Sequence, residues 1–68
     1  MKNSIKVKRA IEEFTQTDLA DKIGVSRQTI HAIESGKYTP SLILALKMAS
    51  VFKCKIEDIF ELENEDWA

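Results

Sequence analysis

The sequence predicts an all-α domain of five short helices, and three observations support this fold class. Hydrophobic residues make up 44% and charged residues 31% of the 68 positions, the balance of an ordinary globular chain. Apolar residues recur at helical spacing, with capping residues and glycines between the repeats. Residues 16–35, QTDLADKIGVSRQTIHAIES, contain two such patterns joined at Gly24. Two short helices joined in this way form a helix-turn-helix.

The first two helices are predicted at about residues 3–13 and 16–23. Asn3 or Ser4 caps the first helix, whose inward stripe is predicted to contain Val7, Ala10, Ile11 and Phe14, with Ile5 beside them. Thr15 is the predicted N-cap of the second helix, and Asp18 completes a capping box. Gly24 supplies the positive φ that ends this helix.

Three further helices are predicted at about residues 26–35, 40–52 and 56–60. Ser26 caps the third helix, which ends at Gly36. Thr39 and Pro40 are the predicted N-cap and first residue of the fourth helix. Beyond residue 60, Leu62 and Asn64 alternate with acidic residues. The chain is therefore divided into a compact domain, 1–60, and an acidic strand or tail, 61–68.

Charge is segregated along the chain. Residues 1–55 contain all ten Lys and Arg residues against five acids, whereas residues 56–68 contain six acids and no Lys or Arg. A solvated polar tail is the simpler interpretation of the acidic end. Segregation also keeps negative charge away from a surface that faces phosphate groups.

Several classes of protein are not predicted by this composition. No apolar run is long enough to span a bilayer and no secretory leader is visible, so we expect a cytoplasmic protein. The single Cys54 cannot form an internal disulfide and is read as a small hydrophobic residue. No catalytic triad, metal cluster or phosphate-binding glycine loop is present, so the sequence predicts no enzyme, cofactor, metal site or small-molecule effector.

The third helix has two chemically different sides. Ile30 and Ile33 lie on one side, with Val25 able to pack beside them. The opposite side contains no acid, and its residues are Arg27, Gln28, His31, Ala32 and Ser35. Gln can bond adenine, Arg can bond guanine, and an Ala methyl can contact thymine. A solvated helix face would also be polar, but the chemistry suits the DNA major groove.

Two neighbouring segments favour DNA binding. Gln16 and the free N–H groups at the start of the second helix form a candidate phosphate site. The loop Gly36–Thr39, directly after the third helix, offers an ammonium group, a phenol and a hydroxyl to phosphate oxygens.

Residues 16–35, the following GKYTPSL and the later LALKMASVF resemble the XRE family, the phage Cro and repressor type of helix-turn-helix. The resemblance covers about residues 3–60 and implies a five-helix, lambda-repressor-like domain. It also implies a compact, dimeric transcriptional repressor that binds double-stranded operator DNA.

The residues and the resemblance together give the predicted site. Predicted base contacts are Arg27, Gln28, Thr29, His31 and Ala32. Predicted contacts to the DNA backbone are Gln16, Ser26, Ser35, Lys37, Tyr38 and Thr39. Thr39 stands where related compact repressors often have Asn.

Arg9 and Glu34 are predicted to form a structural ion pair, because Glu34 projects toward the core and the family commonly pairs an Arg with it. One His and one acid do not complete a zinc shell, so His31 is interpreted as a flanking contact.

Glu13 and Lys53 stand where the family often has Gly, and left-handed geometry would cost each about 1 kcal/mol. Lys8 replaces a commoner Leu, and Lys55 replaces a capping Ser or Pro.

The fourth helix has more apolar surface than one core needs. Its predicted core stripe is Leu42, Ala45, Leu46, Ala49 and Phe52. The surplus is Leu44, Met48 and Val51, covered either by the fifth helix or by a twofold mate that also uses Phe60, Leu62 and Trp67. Trp67 is alternatively a loosely packed tail residue.

A homodimer reading half-sites about 34 Å apart is the primary prediction. The alternative is an antitoxin or restriction-system control protein whose main partner is another protein.

Overall fold

Four α-helices and one small antiparallel sheet make up the fold in a computed structural model that describes residues 1–68. The elements in chain order are β1 (Lys2–Asn3), α1 (Ile5–Glu12), α2 (Gln16–Ile23), α3 (Arg27–Glu34), α4 (Leu42–Phe52) and β2 (Phe60–Glu61). Single 3₁₀ turns cover Ile56–Asp58 and Asn64–Trp67. β1 and β2 pair with Lys2 opposite Glu61 and Asn3 opposite Phe60.

The predicted caps of α2 and α3 are confirmed. The Thr15 hydroxyl accepts from the Asp18 N–H, and the Asp18 carboxylate accepts from the Thr15 N–H in return. Ser26 accepts from the Thr29 N–H at the start of α3. Gly24 has a φ of 76° and Gly36 a φ of 79°, the left-handed geometry that glycine adopts without strain.

Three predicted helix limits are wrong. α1 starts at Ile5 and not at residue 3, because Lys2 and Asn3 pair with β2. α4 is capped by Ser41, whose side chain accepts from the Leu44 N–H, and not by Thr39. The predicted fifth helix is a single 3₁₀ turn, because pairing with β1 draws Phe60 and Glu61 into extended structure.

The core contains thirteen buried residues, all of them hydrophobic. They are Ile5, Leu19, Ala20, Ile23, Ile30, Ile33, Leu44, Ala45, Met48, Ala49, Phe52, Ile59 and Phe60. Phe14 packs against this cluster and stacks on Phe52, with ring centroids 6.1 Å apart. None of the helices has the length and apolar character needed to cross a membrane.

The buried side of α4 differs from the predicted one. Leu42 and Leu46, predicted in the core, are 71% and 53% exposed. Leu44 and Met48, predicted as surplus for a second chain, are 8% and 0% exposed. Phe60 is also buried, so these three residues pack within their own chain and are not available to a partner. Val51 is half-buried, whereas Leu62 and Trp67 remain exposed.

The predicted apolar stripe of α1 is wrong at Val7, Ala10 and Ile11, whereas Phe14 packs against the core as predicted. Val7 and Ile11 are 60% and 69% exposed, and Ala10 is exposed beside them. Of the apolar residues of α1, only Ile5 is buried. The helix instead turns the side bearing Arg9 toward α3, so its apolar side faces outward.

Candidate nucleic-acid interface

The underside of α3 is anchored in the core. Ile30 is fully buried and Ile33 is 2% exposed, in the same cluster as Leu19 and Ile23 of α2. Burial of an Ile side chain stabilises a fold by roughly 1.5–3 kcal/mol, so two of them hold α3 firmly in one rotation. The residues on the other side of α3 are therefore presented outward.

The outward side of α3 is polar and largely free of internal bonds. Arg27, Gln28 and His31 are exposed, and the side chains of Gln28 and His31 make no hydrogen bond within the chain. Thr29 and Ala32 are half-buried at the edge of this surface, and the Thr29 hydroxyl lies 3.0 Å from that of Ser26. The predicted base-contacting residues thus share one surface, with Arg27, Gln28 and His31 the most open.

A polar network ties α3 to α1 and α2. Arg9 Nε donates to Glu34 Oε2 at 2.6 Å, and Arg9 Nη2 donates to Glu34 Oε1 at 3.2 Å. Gln16 Nε2 donates to the same Oε1 at 3.1 Å, and Arg9 Nη1 donates to the Phe14 carbonyl at 3.0 Å. The predicted ion pair is therefore present, with an additional bond from Gln16.

The network keeps Glu34 ionised. Burial raises the pKa of Glu34, but the hydrogen bonds from Arg9 and Gln16, with the charges of Arg9 and Lys6, outweigh it and leave the pKa below its ordinary value. No buried side-chain polar atom lacks a partner. The acid on α3 is thus neutralised by a neighbouring guanidinium, which favours approach of a polyanion.

Gln16 stands between the core network and the outward surface. While its amide nitrogen donates to Glu34, its oxygen faces Arg27 Nη1 at the long distance of 3.5 Å. One amide hydrogen remains free to reach a phosphate, since the NH₂ group has two. The predicted backbone contact at Gln16 is compatible with this arrangement.

The loop after α3 is held at its base and open at its tip. The N–H groups of Lys37 and Tyr38 both donate to the Ala32 carbonyl, at 2.9 and 3.2 Å. Tyr38 is 48% exposed, Lys37 and Thr39 are also exposed, and Lys37 is in no ion pair. The loop therefore presents its polar side chains next to the end of α3.

Comparison with known proteins agrees with this geometry. A helix-turn-helix family model, HTH_3, matches residues 5–59. The chain belongs to the XRE-type helix-turn-helix family. It is a transcriptional regulator with a helix-turn-helix DNA-binding domain.

Relatives of this XRE-type regulator match it over nearly the whole chain. An uncharacterized HTH-type transcriptional regulator of Methanocaldococcus jannaschii is 61% identical over 66 residues, which is 97% of this chain and 100% of that protein. One from Bacillus subtilis is 50% identical, with the same coverage of both chains. The solved restriction-modification controller protein C.AhdI from Aeromonas hydrophila is 25% identical, with a TM-score of 0.76 over 82% of this chain and 85% of that one.

Asn3 is a positioning residue of this XRE-type regulator that the sequence does not reveal. Its Nδ2 donates to the Ile33 carbonyl at 3.0 Å, at the C-terminal end of α3, while its Oδ1 accepts from the Ile5 N–H at 3.3 Å. The sequence indicates only a local cap at Asn3. The bond to α3 spans thirty residues and depends on the β1–β2 pairing, so no local pattern predicts it.

Proposed function

We propose that this chain is a repressor that binds a palindromic operator as a homodimer, with α3 in the major groove. The observation that carries the proposal is the outward side of α3, where Arg27 and Gln28 stand exposed above a buried aliphatic underside. Arg27 would bond guanine O6 and N7, and Gln28 would bond adenine N6 and N7. Occupying an operator that overlaps a promoter would block polymerase.

Gln28→Ala tests the reading of bases. Because the Gln28 side chain is exposed and makes no bond within the chain, its removal leaves the fold intact. We expect a loss of about 1–3 kcal/mol on the preferred site and little change on random DNA, measured on sites selected from a random pool. Equal losses on both kinds of DNA would contradict base reading by Gln28.

Lys37→Ala tests the backbone contact separately. We expect weaker binding to specific and random DNA alike, with the salt dependence reduced by roughly one unit of slope. Lys47→Ala is the matched control, since Lys47 is an exposed lysine on α4 that is also in no ion pair. A change of slope in the control equal to that of Lys37→Ala would show a general charge effect.

The proposed homodimer matches the twofold symmetry of a palindromic operator. Two copies of α3 would enter successive major grooves about 34 Å apart, on half-sites related by a twofold axis. The exposed Leu62 and Trp67 support a partner surface at the C-terminal end. Sedimentation at micromolar concentration, free and on the selected operator, should give a dimer; a monomer under both conditions would refute the homodimer.

A role as controller of a restriction system is the second candidate, favoured by the likeness to the C.AhdI controller protein. The two roles predict different genomic positions for the selected operator. A site upstream of a restriction endonuclease gene would support the controller role, whereas sites elsewhere would support general repression.

A further inference from the structure

A polar cleft lies between α1, the start of α2 and α3, and we call it the α1–α3 cleft. The residues that line it include Lys6, Arg9, Gln16, His31, Glu34 and Ser35. Its volume is about 310 Å³, roughly ten times the 30 Å³ that one water molecule occupies in the liquid. No hydrophobic residue lines it, so the cleft suits a charged or polar group.

The α1–α3 cleft opens on the side of α3 that is proposed to face DNA. His31 and Ser35 follow Gln28 by three and seven residues, a spacing that places all three on one side of a helix. Both His31 and Ser35 are exposed. A duplex read by Gln28 would therefore pass over the mouth of the cleft and bring its phosphate groups to it.

Lys6 supplies the cleft with a cation that has no partner of opposite charge. It is exposed and in no ion pair within the chain. Lys6 and Arg9 are three residues apart, so they share the side of α1 that faces α3. Burial raises the pKa of Glu34, while the hydrogen bonds from Arg9 and the charge of Lys6 are among the causes that lower it. The Lys6 ammonium group thus lies close to the cleft.

The Lys6 charge exceeds what the acid in the cleft needs. Glu34 already accepts two bonds from Arg9, which balances its charge. Lys6 therefore leaves an excess of one positive charge among the Lys, Arg and acidic residues of the cleft. Glu12 and Glu13 follow Lys6 by six and seven residues, about 9–10 Å along the helix axis, and neither lines the cleft.

We propose that the α1–α3 cleft binds one phosphate group of the DNA backbone with Lys6 as its cation, which rests on the DNA-binding mode proposed above. The free amide hydrogen of Gln16 is the second donor. An ammonium group and an amide N–H both donate hydrogen bonds, and the phosphate of a nucleic acid offers only acceptor oxygens. α1 thereby joins α2, α3 and the loop after α3 in the DNA-binding surface.

The first experiment compares Lys6→Ala with Lys8→Ala on the selected operator. Lys8 is on the same helix, about 200° around its axis from Lys6, and does not line the cleft. We expect Lys6→Ala to bind about eightfold more weakly at 0.1 M salt, because one lost phosphate contact lowers the slope of log affinity against log salt by about 0.9. Lys6→Arg should restore both values, and Lys8→Ala should keep the wild-type slope. Equal slopes for the two alanine variants, both folded by circular dichroism, would overturn the proposal.

Neutral methylphosphonate groups, placed one at a time in the operator, locate the phosphate. We expect one replacement in each half-site to weaken binding of the wild type and of Lys8→Ala. The same replacement should cause little further loss in Lys6→Ala, because its contact there is already absent. If the losses of Lys6→Ala add to those of every replacement, no phosphate is paired with Lys6 and the proposal is overturned.

Inorganic phosphate distinguishes the DNA backbone from a free anion. His31 is the sole histidine, so the NMR signals of its ring report on the cleft. A shift of these signals by inorganic phosphate, together with additive losses on every modified operator, would overturn the proposal in favour of a free anion. A wild type that prefers no duplex over random DNA would remove the proposed function, and Lys6→Ala should then still lose slope on random duplexes. An operator-specific wild type with an unaffected Lys6→Ala variant would remove only the cleft contact.

Discussion

Breaking the Arg9–Glu34 pair should cost a large share of the stability of this domain. Glu34→Ala removes two bonds to Arg9 and one from Gln16. It also leaves a guanidinium whose side chain is only 14% exposed without its counter-charge. Breaking a fully buried pair costs about 3–5 kcal/mol. Because both side chains keep some contact with water, we expect about 2–3 kcal/mol here.

That loss is large relative to the total free energy of unfolding of the domain. At about 0.05–0.15 kcal/mol per residue, a domain of this size has roughly 3–10 kcal/mol in all. Urea unfolding followed by circular dichroism measures the difference as a shift of the midpoint at constant slope. The variants to compare are Glu34→Ala, for the size of the loss, and Arg9→Met, Glu34→Met and their double variant, for the coupling.

The double variant decides whether the two residues act together. If they do, it should be more stable than the sum of the single losses implies, by about 1 kcal/mol or more, because no charge is left buried alone. Additive losses, or a loss below about 1 kcal/mol for Glu34→Ala, would refute the reasoning.

Two further predictions concern stability. Glu13 and Lys53 have φ values of 59° and 55°, so replacing either with Gly should relieve left-handed strain and stabilise the fold by about 0.5–1 kcal/mol after the entropy cost of glycine. Thermal unfolding checks this, with Lys47→Gly inside α4 as a control that should lose about 1 kcal/mol instead. The second prediction concerns acid. The folded-state pKa of Glu34 lies below its ordinary value of 4.5. The stabilisation that ionised Glu34 gives the fold is therefore present above pH 4.5 and is lost as the pH falls through the folded-state pKa. Glu34→Gln should therefore reduce the fall in the free energy of unfolding between pH 4.5 and lower pH. An unchanged fall would contradict the role given to the Glu34 carboxylate.

The sequence predicts correctly where the information is local. Thr15 and Asp18 lie three residues apart, and Ser26 and Gly24 act on their immediate neighbours. Such patterns depend on a single turn of backbone, although the cap predicted for α4 at Thr39 was wrong because Ser41 caps that helix. The outward placement of Arg27 and Gln28 follows in the same way from Ile30 and Ile33.

The rotations of α1 and α4 could not be predicted in this way. A helical wheel shows which residues share a side, but it does not say which of two apolar sides is buried. α4 is apolar on nearly all sides, so the elements that pack against it decide which of its sides is buried. The bonds of Asn3 and Gln16 to α3 depend on the same tertiary arrangement and were therefore missed.

The outward position of Val7 and Ile11 and the Arg9–Glu34 ion pair have a common physical cause. Arg9 lies on the side of α1 opposite Val7, so the bond to Glu34 turns Val7 and Ile11 toward water. The same bond fixes the end of α3, which Asn3 holds from the other direction. The rotation of the proposed DNA-reading helix is set by the buried Ile30 and Ile33, and the ionic contact fixes its C-terminal end. For this reason Glu34→Gln, which keeps the size of the side chain and removes its charge, should weaken specific DNA binding.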